Sequence, residues 1–428
     1  MNIVIAGGGW AGCAAAVSAR KAGAEVTLLE RADTLLGTGL VGGIMRNNGR
    51  FTATEECIFM GGGELFHITD ACARHQNINF PGHRHASLYD IAKTPGAVSR
   101  LLSDMGVGVH YFARVTKARM DAGSIAQVET DDGGCYAADV FIDATGTAGP
   151  VANCTKHGNG CAMCVIRCPS FGGRVSLTGL AGGIEMNGRK PDGSPGAMSG
   201  ACKLMKESLS PSLVQELNEK GVVVVPIPEN LVDDHISLKA CQQYALPEYQ
   251  RSIVLLDTGH AKLMAPYFDI KKLRQIQGFE FARFEDPYAG TKGNSMRFFS
   301  MAQRDDALLV SGVSNLLCAG EKAGLLVGHT EAIVTGTLAG YNAARLANKQ
   351  SLLVLPRALA IGEAIAHVRE QMQTPEGLSK KFTFSGSVFF ERMQKLNLYT
   401  TDVQAIRLRV EKAGLLNVFS PAVAADIS

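Results

Sequence analysis

At 428 residues the chain has room for two or three structural units, and 46% hydrophobic with 19% charged residues is the composition of a globular protein. A net charge of +2 gives no electrostatic case for a dedicated nucleic-acid binder, and no apolar run reaches transmembrane length. Eleven cysteines, an odd number, in a chain that enters its first strand at Asn2 with no visible signal peptide point to reduced thiols, a metal site or catalysis rather than a disulfide framework, and the expected location is the cytoplasm.

Ile3–Ala6 reads as a short buried strand, followed by Gly7-Gly8-Gly9-Trp10-Ala11-Gly12, a small-residue helix to Ala22, and a second strand, Glu25 to Leu29, ending at Glu30. This is a G-x-G-x-x-G fingerprint between strand and helix, with an acid at the end of the second strand. Gly7 permits the tight turn, Gly9 admits a pyrophosphate, and Gly12 allows close helix–strand packing. The helix N-terminus offers N–H groups to phosphates, and Glu30 is placed to accept from a ribose 2′-OH.

A glycine-rich loop, Thr34 to Gly43, is suited to pass over a flat ring system. Helices are expected from Gly61 to Arg74 and from Thr94 to Met105. Gly108–Arg114, Ile125–Thr130 and Cys135–Ala138 read as a small antiparallel sheet, and Asp139–Asp143 as a buried strand running into Ala144-Thr145-Gly146. From about 151 to 309 loops alternate with isolated strands at Val222–Ile227 and Ser252–Leu256. Asn315–Cys318 is again a strand, followed by Gly320-Glu321 and a small-residue helix from Gly328 to Ala347. The tail is helical by pattern, with breaks near Thr374 to Gly377. A second G-x-G-x-x-G between strand and helix is missing, which points to one tightly held dinucleotide.

Cys154, Cys161, Cys164 and Cys168 form C-x6-C-x2-C-x3-C-P. The pattern fits an iron–sulfur cluster of [4Fe-4S] type, a zinc site, a C-x-x-C redox pair at Cys161 and Cys164, or a nucleophile at Cys168; buried packing is the plain alternative. Cys13, Cys57 and Cys318 read as packing residues. The His83-Arg84-His85 loop and Arg174 are candidate anion contacts, with a solvated loop the commoner role for the former.

Three separated segments, Gly7–Gly12 with Glu30, Ala144-Thr145-Gly146, and Gly320-Glu321 before a small-residue helix, resemble the FAD-binding elements of the glutathione-reductase-like flavoproteins. Leu40–Gly43 and Ile142–Gly146 resemble a broad family of FAD-dependent oxidoreductases. Asn315 to Arg345 is similar to the end of the FAD domain in the flavoenzymes that modify tRNA uridines, the folate-dependent uracil-5 methyltransferase and the carboxymethylaminomethyl-uridine enzyme. Leu355–Gly362 is similar to a segment of the former, and Arg167-Cys168-Pro169-Ser170 to a motif of the latter that has a tyrosine this chain lacks.

The resemblance implies an α/β fold. A Rossmann-like FAD-binding domain is formed by both ends of the chain (1–150 and 310–350), around an inserted α+β substrate domain (151–309) and before a helical C-terminal segment (351–428). The cofactor-binding set it implies is Gly7, Gly9, Ala11, Gly12, Glu30, Arg31, Gly42, Gly43, Val115, Ala144, Thr145, Gly146, Gly320, Glu321 and Gly328. The expected function is flavin redox chemistry coupled to a cysteine cluster. The alternatives are an RNA uridine-modifying transferase with Cys168 as nucleophile and an electron-transfer subunit. The expected partners are a small-molecule substrate or electron-transfer protein, RNA being unsupported by the charge, with no membrane and with self-association as a homo-oligomer.

Overall fold

Five short strands, β1 (Asn2–Ala6), β2 (Glu25–Leu29), β3 (Gly108–His110), β4 (Val140–Asp143) and β5 (Leu316–Cys318), form one parallel sheet in the order β5-β4-β1-β2-β3. The computed structural model describes residues 1–146, 175–190, 193, 201–232, 244–265, 268–285 and 299–421, with the backbone alone at 197–198 and 296–297. Strands from both ends of the chain thus share one sheet. β1, β4 and β5 are almost wholly apolar and buried, as strands covered on both faces must be.

Helix α1 (Trp10–Lys21) is buried from Trp10 to Ala19 and packs against α3 (His329–Ala347), which also touches α2 (Gly49–Phe59). Both α1 and α3 are rich in alanine and glycine because their backbones touch. A Cβ on Gly336 would fall 2.2 Å from the Ala11 carbonyl oxygen, and one on Gly340 2.1 Å from that of Ala15. A Cβ on Gly12 would fall 1.8 Å from the Gly7 carbonyl oxygen, which is the close helix–strand packing the fingerprint requires.

Three sequence expectations change. Residues 108–110 join the parallel sheet, and the antiparallel sheet is formed by Val115–Asp121, Ser124–Thr130 and Cys135–Ala137. The helix expected to reach Arg74 ends at Ala71, after which Ala73–Phe80 and His83–Tyr89 form an irregular hairpin. The strands Val222–Pro226 and Ser252–Asp257 are not isolated but paired with each other, in a four-stranded antiparallel sheet completed by Ala261–Leu263 and Cys202–Leu204. With helix Pro211–Lys220 this sheet encloses its own apolar cluster around Leu255, Leu263 and Phe279.

The C-terminal segment contains helices Ala360–Gln371, Pro375–Leu378, Ser387–Lys395 and Val403–Lys412. Buried Glu56 of α2 holds the first of them, accepting from the Ala360 and Ile361 N–H groups at 2.9 and 3.1 Å, with Arg409 at 3.3 Å. Those amides open a helix and have no intrahelical acceptor, so the carboxylate supplies one.

Asp257, fully buried at the end of its strand, is approached by Lys206 Nζ at 2.6 Å, His75 Nε2 at 2.9 Å and Arg74 Nε at 2.9 Å. Burial alone would push its carboxyl up, but Lys206, His75 and Arg74 hold it below the usual carboxylate range. Its folded pKa therefore lies below the unfolded value of about 3.9, so its stabilisation is complete above that value and is lost as the pH falls through the folded one. Asp257→Asn removes the carboxylate from partly buried Lys206, His75 and Arg74, of which Arg74 keeps Asp90, and should cost about 3 kcal/mol in urea unfolding at neutral pH. The deficit relative to the parent should shrink as the pH is lowered below about 4; a deficit constant through acid would exclude this role.

Candidate functional site

A cleft of about 1660 Å³, its open mouth included, lies at the carboxyl ends of the parallel strands. It sits where β1 and β4 are adjacent and their following connections diverge, the switch point at which open α/β sheets bind ligands. Gly7, Gly9, Ala11, Glu30, Arg31, Gly42, Val115, Ala144, Thr145, Gly146, Gly320, Glu321 and Gly328 all line it. The structure therefore brings together every sequence-predicted cofactor residue except Gly12 and Gly43. Gly12 is consumed by the contact with Gly7, and Gly43, at φ +92°, packs against Thr258.

The phosphate end is built from backbone. Gly7 takes φ +103°, turning the chain from β1 into α1. Gly9 is the N-cap of α1 at φ −69° and ψ −178°, values open to any residue. A Cβ there would meet no atom of the described residues within 4 Å, so neither conformation nor packing explains the glycine. The space beside it is open to a ligand. No side chain caps α1 and its first turn holds no acid, so its leading N–H groups and the positive end of its dipole are available to an anion.

Glu30 anchors this turn. Its carboxylate accepts the Gly8 N–H at 2.7 Å and the Ala32 N–H at 2.8 Å. Burial pushes its pKa up, while these two amides act in the opposite direction. Each carboxylate oxygen retains a second acceptor position, so a ribose hydroxyl can be added without displacing either amide. On the other side of the cleft Asp143 accepts from Thr145 N–H and Oγ1 and from Thr178 N–H and Oγ1, at 2.6 to 3.1 Å, fixing the turn after β4.

The inner end is built from side chains that sequence reasoning missed: Arg50, Tyr244, Lys262 and His329. Arg50 of α2 pairs with fully buried Glu331 of α3 at 3.1 Å, and Glu331 also accepts from Thr383 Oγ1 and Phe384 N–H at 2.7 and 2.9 Å. Lys262 donates to the carbonyl oxygens of Val41 and Gly42, tying strand Ala261–Leu263 to the glycine-rich loop. Gly42 lies against the His329 ring, where a Cβ would fall 1.5 Å from Cε1. The single available signal was His329 itself, a polar residue directly after Gly328 at the start of a small-residue helix.

His83 does not enter the cleft wall. It is buried, stacked on Phe80 and close to Tyr244 with 4.7 Å between ring centroids in each pair. Arg84 is exposed and His85 partly so. Cys13 and Cys318 are buried, and burial raises both thiols; Cys57, buried in α2 rather than on a loop, is pushed up to about 12. Cys154, Cys161, Cys164, Cys168 and Arg174 lie outside the described residues. Among the described residues no group of three or more metal-ligating side chains converges, and no helix is long and apolar enough to cross a membrane.

The residues present fit FAD: a phosphate turn with an open Cβ position, a bracing acid, and a cleft continuing past the sheet to the glycine-rich loop. FAD, when bound, supplies a ring that exchanges hydride or single electrons; the protein supplies position, charge and exclusion of water.

Comparison with known proteins agrees. Residues 2–154 match the family model of FAD-dependent oxidoreductases, and residues 262–351 match that of glucose-inhibited division protein A. The structure is similar to that of GidA from Aquifex aeolicus in one crystal form, with TM-score 0.68 at 16% identity over 97% of this chain and 74% of that one. In a second crystal form of the same protein the TM-score is 0.60 at 14% identity, covering 96% and 78%. At such identity the likeness shows the fold. The resemblance of Asn315–Arg345 to the tRNA uridine-modifying flavoenzymes holds, for the GidA model covers that stretch. With sheet, cleft and family match in agreement, the protein is an oxidoreductase whose residues 2–154 match the FAD-dependent oxidoreductases and whose architecture is GidA-like.

Proposed function

We propose that the enzyme couples redox chemistry at FAD, held in the cleft from Gly9 to His329, to the four cysteines Cys154, Cys161, Cys164 and Cys168. The observation that carries the cofactor's placement is Gly9, whose open Cβ position at the uncapped start of α1 leaves room for a pyrophosphate. What supports the coupling is where the cysteine-bearing stretch is tethered: Gly146 before it and Val175 after it both line the cleft. Cys154 follows Gly146 by eight residues and Cys168 precedes Val175 by seven. The spacing C-x6-C-x2-C-x3-C-P suits a [4Fe-4S] cluster, which would pass electrons singly to or from the flavin.

A second reading is an RNA uridine-modifying transferase with Cys168 as nucleophile, favoured by the GidA match over residues 262–351. The two readings part at the metal. Protein purified without oxygen should carry about four iron and four sulfide per chain. Cys161→Ser and Cys164→Ser should lose the iron and keep FAD. Iron-free protein after anaerobic reconstitution rejects the cluster, and FAD-dependent methylation of an RNA uridine that fails in Cys168→Ser alone establishes the transferase.

The cofactor's place has its own test. Gly9→Val fits the backbone, so the variant should fold with the thermal stability of the flavin-free parent. Its side chain fills the space intended for the pyrophosphate, and the purified variant should contain little or no FAD by its absorption near the flavin band. Full FAD content in Gly9→Val would place the phosphates elsewhere.

A further inference from the structure

The tripeptide Asn-Gly-Arg occurs twice among the described residues, and the fold gives its two asparagines opposite backbones. Asn187 ends the strand Glu185–Asn187 and pairs with Ser300, and the Gly188 N–H donates to the Phe299 carbonyl oxygen at 2.9 Å. Asn48, the N-cap of α2, has φ +54° and ψ −128°. A positive φ at an asparagine persists only where its surroundings impose it. The value of ψ has a geometric consequence. With Cα tetrahedral, ψ −128° brings the Gly49 nitrogen almost into eclipse with Asn48 Cβ, on the side where Cγ branches. In an extended strand, with ψ about +135°, the next nitrogen is turned away from the side chain.

The Asn48 side chain is held as firmly as its backbone. Oδ1 accepts the Arg84 N–H at 3.0 Å, and Nδ2 donates to the carbonyl oxygens of Gly82 and Ser385 at 3.0 and 2.8 Å. His83 Nδ1 lies 3.4 Å from Nδ2. One backbone donor and two backbone acceptors fix which amide atom is which. The N–H on Oδ1 polarises the carboxamide as an oxyanion donor does. The Gly49 N–H opens α2 and donates to no group of the described residues. A Cβ on Gly49 would fall 2.4 Å from the Phe384 carbonyl oxygen, so no side chain covers that nitrogen.

We propose that Asn48–Gly49 is a self-modification site, at which the fold closes the main chain into a cyclic imide (a succinimide). The Gly49 nitrogen attacks Asn48 Cγ and an N–Cγ bond forms. The Cγ–Nδ2 bond breaks, and the Gly49 proton leaves with Nδ2 as ammonia. No oxidant, metal or other reactant enters. Ring formation needs no water, whereas ring opening does, and Asn48 is only 5% exposed, so the ring persists once formed. Loss of Nδ2 removes the donor shared by Gly82 and Ser385, in the turn that leads two residues on to Arg50 of the cleft wall.

The test incubates the full folded chain at neutral pH and follows its intact mass, its peptide map and its cleavage by hydroxylamine, which cuts at an imide. The chain should lose one ammonia at Asn48, and hydroxylamine should cut it between Asn48 and Gly49. Asn48 should react at least about tenfold faster than Asn187, the gain expected from holding the reacting atoms in place. Access alone predicts the reverse order, because Asn187 is exposed and Asn48 buried. In urea the two sites share only their sequence and should react alike. A third Asn-Gly, Asn159–Gly160, lies outside the described residues and is told apart by its own fragments. Asn48 left intact in the folded chain overturns the proposal, as does Asn187 reacting as fast or faster. A ratio of the two rates that is the same in urea as in the folded protein overturns it too.

Discussion

The rest of the molecule depends on how closely backbone approaches backbone around α1. Gly12 lets the helix sit on the end of β1, and Gly336 and Gly340 let α3 sit on the helix. A methyl group at any of the three would overlap a carbonyl oxygen, and no rotamer change relieves a clash with main chain. The outcome is positional. The start of α1 is held over the gap between β1 and β4, so its uncapped N–H groups open into the cleft. The same contact sets the start of α3, which brings Gly328 and His329 to the far end of that cleft.

Buried carboxylates then tie distant segments to this frame. Glu331 gathers Arg50 from α2 and Thr383 and Phe384 from the C-terminal segment. Glu56 gathers the start of helix Ala360–Gln371 together with Arg409. Asp143 gathers both Thr145 and Thr178, which flank the cysteine-bearing stretch. Each carboxylate is buried with several donors, an arrangement in which removing one partner costs far more than the pair contributes in isolation. The C-terminal segment is thereby part of the same structure as the cleft wall, since its Thr383–Phe384 turn shares an acceptor with Arg50.

What was legible in the sequence follows from range. The turn Gly7–Gly12, its acid at Glu30 and the turn after β4 are local patterns, and their roles follow from residue types alone. The hairpin Ala73–Tyr89 was missed because its first strand is largely polar and its register shifts three times, which hides the alternation that marks a strand. Residues 108–110 were given to the wrong sheet because three residues carry no sign of which neighbour they will pair with. The inner end of the cleft was illegible for a stronger reason. Arg50 and Glu331 are 281 positions apart, Tyr89 and His329 240, and Lys262 and Val41 221. A lysine within the short apolar strand Ala261–Leu263 gives no hint that its ammonium reaches two carbonyl oxygens of another segment.

The two ends of the cleft differ in kind, and the difference governs what each can specify. At the phosphate end recognition is by amides, a helix dipole and the lack of a side chain, and main-chain groups are the same in every sequence that can form the turn. That end selects a class of cofactor and little more. At the inner end Arg50, Tyr244, Lys262 and His329 come from four separate stretches, each held by contacts of its own. None of the four belongs to the strands of the parallel sheet or to the Gly7–Gly12 turn. The local turn patterns therefore speak to the class of cofactor, whereas the inner end, assembled from residues far apart in the chain, is legible only in three dimensions.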